Sequence, residues 1–107
     1  MSDALADRCA ALATVIVPLL GAAIEAQGKP AALDEVLTGI AGVRAVVAEG
    51  GDAGPDYRGW ASVAPAVLDE MEQAARAGDA ATVWALFTEP ARGFHRLGSI
   101  CAGHPGW

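Results

Sequence analysis

Apolar residues recur at alternating intervals of four and three along this chain, and no other feature restricts the fold so sharply. Leu5, Cys9, Leu12, Ile16, Leu19 and Ala23 keep that spacing, which places them on one side of a helix. Val36, Ile40, Val43 and Val47 repeat it, as do Trp60, Ala64, Val67, Met71 and Ala74. A fourth stripe holds Val83, Phe87, Pro90, Phe94, Leu97 and Cys101. No segment sustains the period-two alternation of β-branched and aromatic residues that a strand needs. Much of the 53% apolar content is alanine, the best helix former and a small filler suited to closely packed helices. The chain is expected to be all-α.

Punctuation divides the stripes into four helices near residues 3–27, 30–49, 57–77 and 79–101, with links at 28–29, 50–56 and 78. Ser2 is a plausible N-cap, Asp3 suits the positive helix start, and Gly28 suits a C-terminal stop. Pro30 fits the first turn of the second helix, and Gly78-Asp79 reads as a stop followed by a new N-cap. Gly39 and Gly42 weaken the second helix by ~1 kcal/mol each relative to alanine, so a neighbouring helix is expected to approach closely there. Pro18, Pro65 and Pro90 should kink their helices without ending them. Leu12, Ile16, Leu19, Ile40, Val43, Val67, Met71, Val83, Phe87 and Phe94 are the expected core.

Four segments of ~20 residues with short links favour antiparallel neighbours, hence a single up-down-up-down four-helix bundle spanning 1–107. That topology gathers Cys9, Val47, Trp60 and the Cys101–His104 stretch at one end. At ~1.5 Å per residue, Cys9 and His95 fall at similar depth. The two cysteines then differ by some six residues, or ~9 Å, beyond the ~7 Å Cα separation a disulfide tolerates. Unbridged thiols are expected.

Composition excludes some functions. The formal charge is −6, with a single lysine and scattered arginines, so neither nucleic acid nor an anionic membrane is an expected partner. Cys9 to Ile24 carries no charge, but the run is shorter than the ~18–20 residues of a membrane span, and Pro18 and Gly21 interrupt it. Asp3, Asp7 and Arg8 precede it, whereas a secretory signal has a basic lead-in. A buried core helix in a cytoplasmic protein is the expectation. No catalytic set is visible: Ser99, Cys101 and His104 have no nearby acid, and Asp34-Glu35 and Asp69-Glu70 read as solvated surface. The chain is not expected to be an enzyme.

The residues that could hold a ligand lie mostly at the shared end. Cys101 and His104, three apart at the end of the last helix, would share a face. With Cys9, and with His95 or Met71 as a fourth donor, they would suit a soft or borderline metal ion. From Tyr57 onward the chain resembles the cytochrome c′ and cytochrome b562 group of four-helix-bundle haem proteins. The resemblance rests on Asp56-Tyr57-Arg58, Ala75-Arg76-Ala77-Gly78-Asp79, and Phe94…Leu97-Gly98…Cys101-Ala102-Gly103-His104. It implies that Cys101 matches an attachment cysteine, that His104 matches the axial ligand, and that Cys9 stands where b-type members place a methionine. The second attachment cysteine is missing, so the resemblance implies haem held without covalent links, in a slot lined by Leu5, Val47, Trp60 and Leu97. Two other functions fit the sequence. One is a cofactor-free interaction module, a homodimer using exposed apolar residues such as Val15, Val17 and Trp84. The other is a helical leader that presents the tail 99–107 to a modifying enzyme.

Overall fold

A computed structural model describes residues 4–49 and 53–107; the N-cap expected at Ser2, the helix start at Asp3 and residues 50–52 of the central link lie outside the described residues. Within these bounds the chain is all-helical, with no strand. Helix α1 spans Ala4–Ala26, a 3₁₀ turn Pro30–Ala32, α2 Leu33–Ala48, α3 Pro55–Arg76, α4 Ala80–Phe87 and α5 Phe94–Cys101.

The helix ends follow local chemistry. At the end of α3, Gly78 takes φ +76°, a backbone state open to a residue without Cβ. Its N–H donates to the Ala75 carbonyl at 3.1 Å, and the Asp79 N–H donates to that of Ala74 at 2.8 Å. These two bonds make a Schellman closure. Asp79 then caps α4, its carboxylate accepting from the Thr82 N–H at 3.0 Å and the Thr82 hydroxyl at 2.6 Å. Those bonds hold the Asp79 carboxyl below its usual range. The second helix starts later than expected: Pro30 opens a 3₁₀ turn, and α-helix begins only at Leu33.

Successive helices run antiparallel. A Cβ on Gly39 would lie 2.9 Å from Leu19 Cβ, and one on Gly42 3.1 Å from Val15 Cγ1. The close approach expected at these glycines is therefore the α1–α2 crossing. Arg8 near the start of α1 donates to the Val46 carbonyl at 3.2 Å and to Glu49 at 3.3 Å, while Arg44 of α2 pairs with Asp69 of α3 at 2.7 Å. All ten expected core residues are buried, together with Leu68 and with Val46 in place of Val47. An aromatic chain crosses the interior. Ring centroids are 6.0 Å apart for Tyr57–Trp60, 6.0 Å for Trp60–Phe94, 4.7 Å for Phe87–Phe94 and 5.8 Å for Trp84–Phe87.

The continuous fourth helix is corrected: it is two helices, and residues 88–93 between them are not helical. Pro18 and Pro65 sit inside unbroken helices, whereas Pro90 acts together with Gly93. A Cβ on Gly93 would lie 2.5 Å from the Leu86 carbonyl oxygen and 2.7 Å from that of Glu89. The chain thus folds tightly against the end of α4, and only glycine leaves room for it. Arg92 fixes the turn by gripping both Glu89 oxygens, at 2.8 and 2.9 Å, and by pairing with Glu70 of α3. The guanidinium holds the Glu89 carboxyl below its usual range.

Two substitutions test this packing. Phe94→Ala should lower the unfolding free energy in urea by about 3–5 kcal/mol, the range for truncating a buried aromatic. Gly93→Ala should lower the melting temperature although it adds a better helix former. An unchanged or raised melting temperature in Gly93→Ala would contradict the tight turn.

Candidate functional site

Residues from both ends of the chain meet beside the start of α3. Cys9 and Cys101 are joined in a disulfide, with Cα atoms 5.7 Å apart and a sequence separation of 92. This corrects the expectation of two unbridged thiols. The depth count assumed that residues 88–93 climb as helix, and six helical residues rise ~9 Å. In the structure they turn instead of climbing, which removes the offset and lowers Cys101 to the level of Cys9. The same change shifts His95 in the same direction, beside Ile16 and Leu20, and away from the depth of Cys9.

The bridge is sealed from above. Cys9 and Cys101 are fully buried, and the last residues fold back over α1. The Trp107 indole N–H donates to the Cys9 carbonyl at 2.7 Å. The His104 N–H donates to the Cys101 carbonyl at 3.0 Å, and the Trp107 N–H to that of His104 at 3.1 Å. Gly106 lies against α1, where a Cβ would come within 3.0 Å of Ala13 Cβ. Residues 102–107 are therefore a strap bound to α1, while Ser99 and Ile100 belong to α5. Below the bridge, the Tyr57 hydroxyl and the Trp60 indole N–H are buried without a hydrogen-bond partner among the described residues. Burial pushes the Tyr57 phenol up, and Arg8 opposes that shift.

Of the expected ligand residues, Cys9 and Cys101 come together and the others are placed differently. Helix α5 stops at Cys101, and Ala102 turns out of helical geometry at ψ 132°, so His104 does not share a helical face with Cys101. His95 is exposed in the first turn of α5. Met71 is fully buried in α3, about 16 Å along that helix from Trp60 at ~1.5 Å per residue. Trp60 and Leu97 are fully buried core residues. Among the described residues no three His, Cys, Asp or Glu side chains are grouped to hold a metal ion. Both thiols are committed to the bridge, and a thiolate is the form that binds a metal. The cleft that His95 lines measures about 250 Å³, below the ~300–1,000 Å³ of pockets for drug-sized ligands, and a tetrapyrrole is at least that large.

A different surface stands out on α1. Its inner seam is buried, but Val17 is 59% and Ile24 55% exposed. Ala10, Thr14 and Gly21 are exposed on the same uncharged stretch. Among the described residues, α1 is the one helix long and apolar enough to cross a membrane. Gly21 lies inside the helix with no atom within 4 Å of the position its Cβ would take. Unlike Gly39 and Gly42, it has no neighbour among the described residues to account for it. Beside this face is a groove of about 440 Å³, where Pro18 and Val15 of α1 meet Thr38 and Glu35 of α2.

The sequence carried weak signals for what was missed. The spacing of Pro90 and Gly93 recurs at Pro18 and Gly21 inside the unbroken α1, so it does not by itself mark a break; Trp107 is the one large apolar residue beyond α5 and signals an anchored tail.

Removing the bridge should loosen the whole fold. For a closed loop of this size, the chain-entropy relation gives about 4–5 kcal/mol. Cys9→Ala/Cys101→Ala is expected to lose about that much in urea-induced unfolding while keeping its helical circular dichroism at low temperature. A loss below about 1 kcal/mol would mean that the bridge does not constrain the unfolded chain.

Set against known proteins, the chain matches no family model, no curated protein and no solved structure.

Proposed function

We propose that this chain is a non-catalytic helical interaction module that pairs with a second copy of itself through the outer face of α1. The observation that carries the reading is Gly21, a helix-interior glycine with open space around it, flanked by the exposed Val17 and Ile24. A glycine in an exposed helix costs about 1 kcal/mol relative to alanine, and close approach of a partner helix offsets that.

The face is complementary to itself. In an antiparallel pair with its two-fold axis at Val17, Ile24 and Ala10 stand seven residues to either side and so face each other. Gly21 stands about one turn from the axis, with open space around it. A large residue then meets a small one at the Ile24–Ala10 pair, as a self-complementary isologous interface allows. No charge occurs from Cys9 to Ile24, so a partner of opposite charge would gain nothing there. The fold fits the role as a four-helix-type bundle in which α4 and α5 together fill the fourth position. The bridge favours an oxidising compartment over the cytoplasmic location expected from the sequence, because thiols stay reduced in the cytosol.

Light scattering after size exclusion tests the reading. At about 100 μM, a concentration suited to a modest interface, the protein should elute with twice its 10.8 kDa chain mass. Val17→Glu, which sets two carboxylates against each other at the axis, should elute as a monomer that keeps its helical circular dichroism, with a melting temperature that no longer rises with protein concentration. A monomeric wild type, a dimeric Val17→Glu, or a monomer that partitions into phosphatidylcholine vesicles would each overturn the proposal.

A further inference from the structure

We infer that the cleft between α1, α4 and α5 is a binding site for a small, flat, uncharged aromatic molecule of about the size of indole. The site is separate from the outer face of α1 and does not depend on pairing. The break at residues 88–93 creates it, because α5 leaves the line of α4 and a gap opens above α1.

Three kinds of wall define the ligand. Ile16 and Leu20 supply an aliphatic floor. Trp84, Phe87, Phe94 and Trp107 supply the rings around it. The Trp84 and Phe87 planes are within 4° of parallel, and Phe87 and Phe94 are tilted by 50°. Aromatic pairs prefer offset-stacked or edge-to-face contact, and such walls accept a planar guest in either way. Trp107 is a fixed wall, since its indole N–H is tied to the Cys9 carbonyl at 2.7 Å.

Polarity is confined to the rim. The Thr88 hydroxyl donates to the Trp84 carbonyl at 2.9 Å, which leaves its lone pairs free to accept from a ligand N–H or O–H. The His95 imidazole has no hydrogen-bond partner among the described residues and is exposed at the mouth. No charged side chain lines the cleft, and the chain carries a formal −6. A carboxylate or phosphate would therefore be desolvated with only one rim imidazole to meet it.

Size sets the upper limit. A cavity of roughly 150 Å³ lined by apolar side chains holds benzene. The cleft of about 250 Å³ has room for a fused pair of rings and not for a cofactor of drug size or larger. With some nine heavy atoms in the guest, a dissociation constant of roughly 0.1–1 mM is the expected scale.

The test uses the full-length, oxidised, isotope-labelled protein titrated with indole and followed by amide and indole N–H resonances. The expected result is saturable shifts at Trp84, Trp107 and His95, with no comparable change at Val17 or Ile24. Cyclohexanol, bulky but not planar, and benzoate, planar but anionic, should each bind at least ~10-fold more weakly. Leu20→Trp should fill the cleft and abolish saturation. Should that variant fail to fold, His95→Ala, an exposed substitution, should weaken indole by about fivefold through its lost hydrogen bond. Absence of saturation up to 5 mM indole, shifts spread along the outer face of α1, or unchanged affinity in His95→Ala would overturn the inference.

Discussion

The buried bridge between Cys9 and Cys101 is the constraint from which the rest of the structure follows. It ties the first helix to the last one across 92 residues of sequence, and it does so only because α5 is a separate short helix. Were α4 and α5 one rod, Cys101 would pass beyond Cys9 and the last residues would project into solvent. With α5 lowered, the strap 102–107 lies over α1, and Trp107 reaches the Cys9 carbonyl. The gap left at the break becomes the aromatic cleft. Bridge, break, strap and cleft form one connected arrangement, in which altering any member displaces the others.

The same arrangement decides what the chain can do chemically. Sulfur held in a bridge is unavailable as thiolate, so a pair of residues that reads as metal ligands in sequence serves to close the fold. His104 leaves the helical face of Cys101 where α5 ends, and His95 lies at the rim of a cleft lined by no acidic or basic side chain other than its own imidazole. The outer surface of α1 then remains as an apolar face that the fold itself does not cover, which is the basis of the proposed pairing.

Much of this was legible in the sequence because helical periodicity reports burial directly. Ten named core positions, the close approach at Gly39 and Gly42, and the stop and cap at Gly78-Asp79 all follow from local rules, and the structure agrees with each. The site was far less legible, because it depends on one tertiary fact. Pro18, Pro65 and Pro90 look alike in sequence, yet only Pro90 is followed by a glycine whose missing Cβ lets the chain fold back on Leu86 and Glu89. Counting depth through that turn as though it were helix misplaced His95 and separated the cysteines. Trp60 and Leu97 were correctly brought to the cysteine end, but as core and not as the lining of a slot. The two unpartnered polar atoms at Tyr57 and Trp60 have no signature in sequence, since only the packed structure reveals which donors lack acceptors.

The central claim is that the first and last helices are covalently joined, and peptide mapping under non-reducing conditions tests it most directly. The protein would be denatured with free thiols blocked by iodoacetamide, digested with trypsin, and read by mass spectrometry before and after reduction. The expected result is a single cross-linked species joining the peptides that contain Cys9 and Cys101, absent after reduction, with neither cysteine alkylated beforehand. Recovery of both cysteines as separately alkylated peptides from protein matured under oxidising conditions would contradict the account.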